Sequence, residues 1–225
     1  MKRAFYIYAG LSLLVALVGL ARVEIRSRNV EAAIQASREA AEALRAIPAC
    51  QRRTFETDRD YARCRYERAV ERVAVTAEAP ERPGYLAEAA LAALDAGRPA
   101  AARAYVRAAR GALADTQDDD LSYPGETVEK TAVVDGRLAL AAGDTATARR
   151  RLIEAARSLT EPTQLSFGPN VTLARDLLVA GDTVAVRAYF DVLDATWPAG
   201  GDELGEWRTA LDRSEGPDFG ANLIY

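Results

Sequence analysis

Three times this chain ends an apolar helical run on a glycine and places an arginine six residues later. The copies read Leu94-Asp95-Ala96-Gly97 with Ala102-Arg103, Leu140-Ala141-Ala142-Gly143 with Ala148-Arg149, and Leu178-Val179-Ala180-Gly181 with Val186-Arg187. Self-similarity at this scale predicts stacked helical hairpins. Gly97, Gly143 and Gly181 stand where the first helix of each hairpin must stop. The residue just past a helix C-terminus tends to be left-handed, and glycine takes that conformation at least expense. Pro99 then suits the first turn of a following helix. Asp144 and Asp182 suit its N-cap and complement its dipole.

Further apolar positions keep the same register. Ala102, Ala148 and Val186 lie five residues after their glycine, Val106, Leu152 and Phe190 nine after, and Ala109, Ala155 and Leu193 twelve after. Steps of four and three hold these residues on one helical face. Seven residues before each glycine stand Ala90, Gly136 and Ala174. This set of offsets resembles the tetratricopeptide-type repeat. The family's early Trp is missing, and the glycines are spaced by 46 and 38 residues instead of a uniform 34. The resemblance covers residues 84–196. It implies an α-solenoid whose first helices form a concave surface that holds a protein or peptide. Glu88, Glu129, Arg137 and Arg175 are the candidate groove residues, chosen by their place on those first helices.

The expected fold is all-α: an N-terminal transmembrane helix (1–21), a helical stalk or hairpin (22–80), repeats (84–196), then a capping helix with a docked tail (197–225). Residues 4–21 carry no charge and follow Lys2-Arg3. About 18 apolar residues suffice to cross a bilayer core, and the basic start favours a cytoplasmic N-terminus. A cleaved signal peptide is the alternative, with Gly19-Leu20-Ala21 as its cleavage site. The length of the run favours an uncleaved anchor. Either reading puts residues 22–225 outside the cytoplasm. Enrichment in Ala and Arg points to a GC-rich bacterium, so the expected location is the bacterial inner membrane, with a single pass.

Val23 to Ala46 reads as a thinly apolar helix that Pro48 ends. Thr57-Asp58-Arg59-Asp60 reads as the N-terminus of a second helix, closed by Pro80 and Pro83. Cys50 and Cys64 are the only cysteines. An even count in an exported segment favours a disulfide over two free thiols, provided residues 51–57 loop back so that Cys64 falls in the second turn of its helix. The acidic run Asp115, Asp118, Asp119 and Asp120 lacks the glycine and glutamate of a calcium loop and reads as solvated.

In the last quarter, Leu204, Trp207 and Leu211 form one stripe on a short helix, as a terminal cap requires. Ser166-Phe167-Gly168-Pro169-Asn170 and Pro217-Asp218-Phe219-Gly220-Ala221-Asn222-Leu223 resemble segments that occur together in bacterial helical-repeat proteins. Phe167, Trp197, Trp207 and Phe219 read as core that locks the last repeat, with a ligand pocket as the alternative.

Composition narrows function. The net charge is −4, with +3 over residues 22–72 and −9 over residues 73–225, so nucleic acid is not an expected partner. The chain has no histidine, which removes imidazole bases and ligands. No nucleophile elbow or phosphate loop is present, and no cofactor or metal is expected. The reading is a membrane-anchored adaptor or scaffold for an unknown protein or peptide, anchored in lipid through residues 4–21. The alternatives are a self-associating envelope protein or, less favoured, an envelope enzyme.

Overall fold

Helix ends set the architecture. In the computed structural model, which describes residues 30–55, 57–116 and 123–223, Gly97, Gly143 and Gly181 have φ of 71°, 81° and 82°. At each turn the glycine N–H donates three residues back (Leu94, Leu140, Leu178) and the next N–H donates five back (Ala93, Ala139, Leu177). This is the Schellman arrangement, which satisfies carbonyls that a helix end leaves free. The following helix starts within three residues. Asp144 caps it through the Thr147 N–H at 2.9 Å, and Asp182 through the Ala185 N–H at 3.3 Å.

All regular structure among the described residues is helical. Residues 30–45 form α1, and α2 is Asp58–Val75. Three hairpins follow: α3 (Arg82–Asp95) with α4 (Pro99–Asp115), α5 (Pro124–Ala141) with α6 (Thr145–Arg157), and α8 (Thr172–Val179) with α9 (Thr183–Thr196). A short helix, α7 (Pro162–Phe167), is inserted before the third hairpin, and α10 (Gly201–Asp212) closes the chain of helices. Each hairpin packs on the next, α3 against α5 and α5 against α8, while α2 leans on α3. Pro83 opens α3 instead of closing α2, because a proline in the first helical turn forfeits no hydrogen bond.

The periodic positions form the core. Ala90, Gly136 and Ala174 are buried, as are all nine residues five, nine and twelve after the glycines. Gly136 is where α5 meets α8: a Cβ added there would stand 2.2 Å from Leu173 Cδ2. At the far end Trp207 of α10 is buried among Phe190, Trp197 and Phe219, with ring centroids 5.7, 5.8 and 5.0 Å away. Its indole N–H donates to the Asp218 carbonyl at 3.0 Å, so the tail after α10 is tied to the helix it covers. Such a cap removes apolar surface that the last hairpin would otherwise expose.

Before the repeats, Thr57 caps α2 by accepting from the Asp60 N–H at 3.1 Å. Residues 52–54 make a single 3-10 turn. That turn brings Cys50 back to Cys64, in the second turn of α2, and the two form a disulfide with Cα atoms 6.1 Å apart. On α1, Ser37 donates to Glu81 at 2.7 Å, while Val30 and Ile34 remain exposed.

No helix among the described residues is long and apolar enough to cross a membrane. Residues 4–21, and the acidic run at 118–120, lie outside the described residues.

Candidate functional site

A cleft of about 380 Å³ opens on the face shared by α2, α3, α5 and α7. Helical spacing aligns its walls. Tyr61 and Arg65 are four apart on α2, Glu88 and Leu91 three apart on α3, and Glu126 and Lys130 flank Glu129 on α5. Thr163, Gln164 and Phe167 of α7 form the remaining wall with Gly168 and Asn170.

Glu129 is the most unusual of these groups. It is only 4% exposed. One carboxylate oxygen accepts from Gln164 Nε2 at 2.6 Å, and the other from the Asn170 backbone N–H at 2.7 Å. Burial pushes its pKa up, and the two hydrogen bonds, with Lys130 nearby, oppose that rise. Gln164 in turn accepts from the backbone N–H groups of Thr160 and Glu161 at 3.2 and 3.1 Å, which caps α7. Tyr189 of α9 is fully buried and its hydroxyl has no hydrogen-bond partner. Burial first, and the Glu129 charge second, hold that phenol well above its ordinary pKa.

The loop that carries Phe167 is fastened from several sides. The Asn222 side-chain amide donates to the Phe167 and Pro169 carbonyls, both at 3.1 Å, and the Val171 N–H donates to the Asn222 carbonyl at 3.1 Å. Trp197 Nε1 donates to the Leu165 carbonyl at 3.1 Å. Gly168, at φ 84°, lies so close to Trp197 that an added Cβ would be 2.5 Å from the ring. The two C-terminal segments singled out in the sequence therefore clasp each other. Phe167 is 62% exposed, whereas Trp197, Trp207 and Phe219 are buried. Three of those four aromatics are core, and the fourth lines the cleft.

The candidate groove residues separate into two pairs. Glu88 and Glu129 both line the cleft. Glu88 is engaged by Arg72 of α2, and Glu126 by Lys130. Arg137 lies further along α5 and is committed to structure: its Nε donates to Asp176 and its Nη1 to Asp95, both at 2.8 Å. Arg175 turns to its neighbour Asp176 at 2.7 Å. Arg65 adds a longer contact to Asp95 at 3.5 Å. Charges alternating across α2, α3, α5 and α8 thus brace one edge of this face. The sequence did not single out Tyr61 or Arg65, because they precede the repeats. Their four-residue spacing on a well-capped helix was the available signal.

The consecutive arginines on α6 diverge as helical geometry requires. Arg149 pairs with Asp182 at 2.5 Å, Arg150 donates to Thr147 at 2.6 Å, and Arg151 pairs with Glu154. No group of residues capable of holding a metal ion occurs among the described residues. No family model, curated protein or solved structure matches this chain.

Proposed function

We propose that this chain is a helical-repeat protein of the tetratricopeptide kind, an adaptor or scaffold that holds a protein or peptide partner in the cleft faced by α2, α3, α5 and α7. One observation carries this reading. The cleft draws its walls from four helices and exposes an aromatic, Phe167, at the end of α7, in a segment held by at least four hydrogen bonds. A rigidly mounted, exposed aromatic beside satisfied polar groups is how binding surfaces gain affinity with little ordering entropy. The hairpins would stack as an α-solenoid, with residues 4–21 as a single-pass anchor in a bacterial inner membrane and the repeats outside the cytoplasm. The Cys50–Cys64 disulfide supports the outside placement, since such bonds persist in oxidising compartments.

The test is site-specific photocrosslinking in cells with the full chain. A crosslinking residue replaces Phe167, and a control replaces the exposed Arg103 on α4. A partner captured from position 167 and absent from position 103 supports the adaptor reading. Crosslinks only between copies of this chain, equal at both positions, would replace it with a self-associating structural protein.

A further inference from the structure

Three carboxylates line the cleft, against two cations. Glu88 and Glu126 each have a basic partner, Arg72 and Lys130. Glu129 forms no ion pair among the described residues: Lys130 acts on it only through space, it is the most deeply buried of the three, and it accepts hydrogen bonds only from uncharged donors, Gln164 and the Asn170 N–H. A carboxylate bonded once at each oxygen still has acceptor capacity to spare. Burying such a charge is costly unless a cation compensates it. Aromatic side chains stand on two walls, Tyr61 on α2 and Phe167 on α7. Cations are held over aromatic faces, and Tyr61 already has the Arg65 guanidinium 6.0 Å from its ring centroid.

We infer that the cleft takes the side chain of a lysine in the partner peptide, its stem against the aromatic walls and its ammonium directed toward Glu129. This rests on the reading of the cleft as a peptide site and names what the site selects. An acidic peptide would bring like charge to Glu88, Glu126 and Glu129. A purely apolar one would leave the Glu129 charge uncompensated.

The full chain in detergent micelles is titrated with fluorescently labelled acetyl-Ala-Ala-Lys-Ala-Ala-amide and with its norleucine and glutamate analogues. The lysine peptide is expected to bind about tenfold more tightly than the norleucine peptide, the size of one charge-assisted contact. The glutamate peptide should bind more weakly than either. Glu129→Gln should erase most of the lysine preference. Because Glu129 also holds the α7 loop, Phe167→Ala serves as the second variant. It leaves Glu129, its hydrogen bonds and the backbone carbonyl that Asn222 holds in place, and should weaken binding of the lysine peptide. Equal affinity for lysine and norleucine, no binding of either peptide, or a preference that both variants leave intact would each overturn the inference. If position 167 still captures a partner in cells while the peptides show no preference, the adaptor reading stands and only the lysine selection falls. If neither assay responds, both fall.

Discussion

Gly136 faces Leu173 with no room between them: a methyl group at Gly136 would approach Leu173 Cδ2 to 2.2 Å and Arg151 Cβ to 3.1 Å. Leu173 is fully buried and cannot swing clear. Overpacking a filled core costs about 1–3 kcal/mol, and alanine recovers roughly 1 kcal/mol over glycine in a helix. Gly136→Ala is therefore expected to lower unfolding stability by up to about 2 kcal/mol in urea titration. In a double-mutant cycle with Leu173→Ala, the two changes together should cost less than their sum. Additive costs would mean that α5 and α8 do not meet at this pair.

The turn glycines should behave differently. Nothing lies within 4 Å of a Cβ added to Gly97, Gly143 or Gly181. Only backbone conformation opposes a substitution there, and an L-residue held left-handed loses about 1–2 kcal/mol. Alanine at each of the three positions should cost nearly the same, and asparagine clearly less. A spread wider than about 1 kcal/mol among the three would show that the turns are not equivalent.

Arg137 holds α3 and α8 to α5 through two carboxylates at different guanidinium nitrogens. Its side chain is 15% exposed. Asp95 and Asp176 keep weaker or more exposed partners in Arg65 and Arg175 when it is lost. Arg137→Met should cost about 1–3 kcal/mol. Arg137→Lys should recover less than half of that, since an ammonium lacks the fork that reaches both sides. Full rescue by lysine in thermal melts would reduce the bridge to simple charge proximity.

Glu129 makes stability depend on pH with a defined sign. Burial raises its folded pKa above that of an ordinary glutamate, so the folded state holds this proton more tightly than the unfolded state. Stability relative to a non-titrating variant is then greatest below the unfolded pKa and falls as pH rises through the folded value. Denaturant titrations of the wild type and Glu129→Gln across pH 4 to 8 should show the difference shifting steadily in favour of Gln. A difference that is flat with pH would place Glu129 in a better-compensated environment than its neutral partners provide.

Much of this fold was legible because its signals are local. Glycine at a helix end with aspartate or proline after it specifies a turn through nearest-neighbour chemistry, and a 3.6-residue period marks what each helix buries. The helix α7 carried only end signals, Pro162 in its first turn and Gly168 just past its end, with no apolar period between them. Six residues span less than two turns, and what holds them is Glu129 reaching Gln164 across 35 positions and Trp197 reaching Leu165 across 32. The cleft was half legible for the same reason. Glu88 and Glu129 stand on the helices expected to face a groove, but the other wall comes from α2 and α7, outside the repeat pattern. Arg137 shares a helix with Glu129, yet its partners are 39 and 42 residues away, and no periodicity announces them. Phe167 is aromatic like the buried Trp197, Trp207 and Phe219, and only its place at the end of α7 leaves it exposed.

Asn222 fastens the Phe167 and Pro169 carbonyls from 55 and 53 residues downstream. Synthesis is directional and runs at about 5–20 residues per second, so earlier hairpins have seconds in which to form before later ones emerge. The first two hairpins and the disulfide-closed segment can settle while the ribosome is still extending the chain. The cleft cannot. The wall that carries Phe167 waits for a residue translated long after the other walls, so a nascent chain lacks a complete cleft until Asn222 has been added. On the adaptor reading proposed above, partner capture would follow formation of the scaffold.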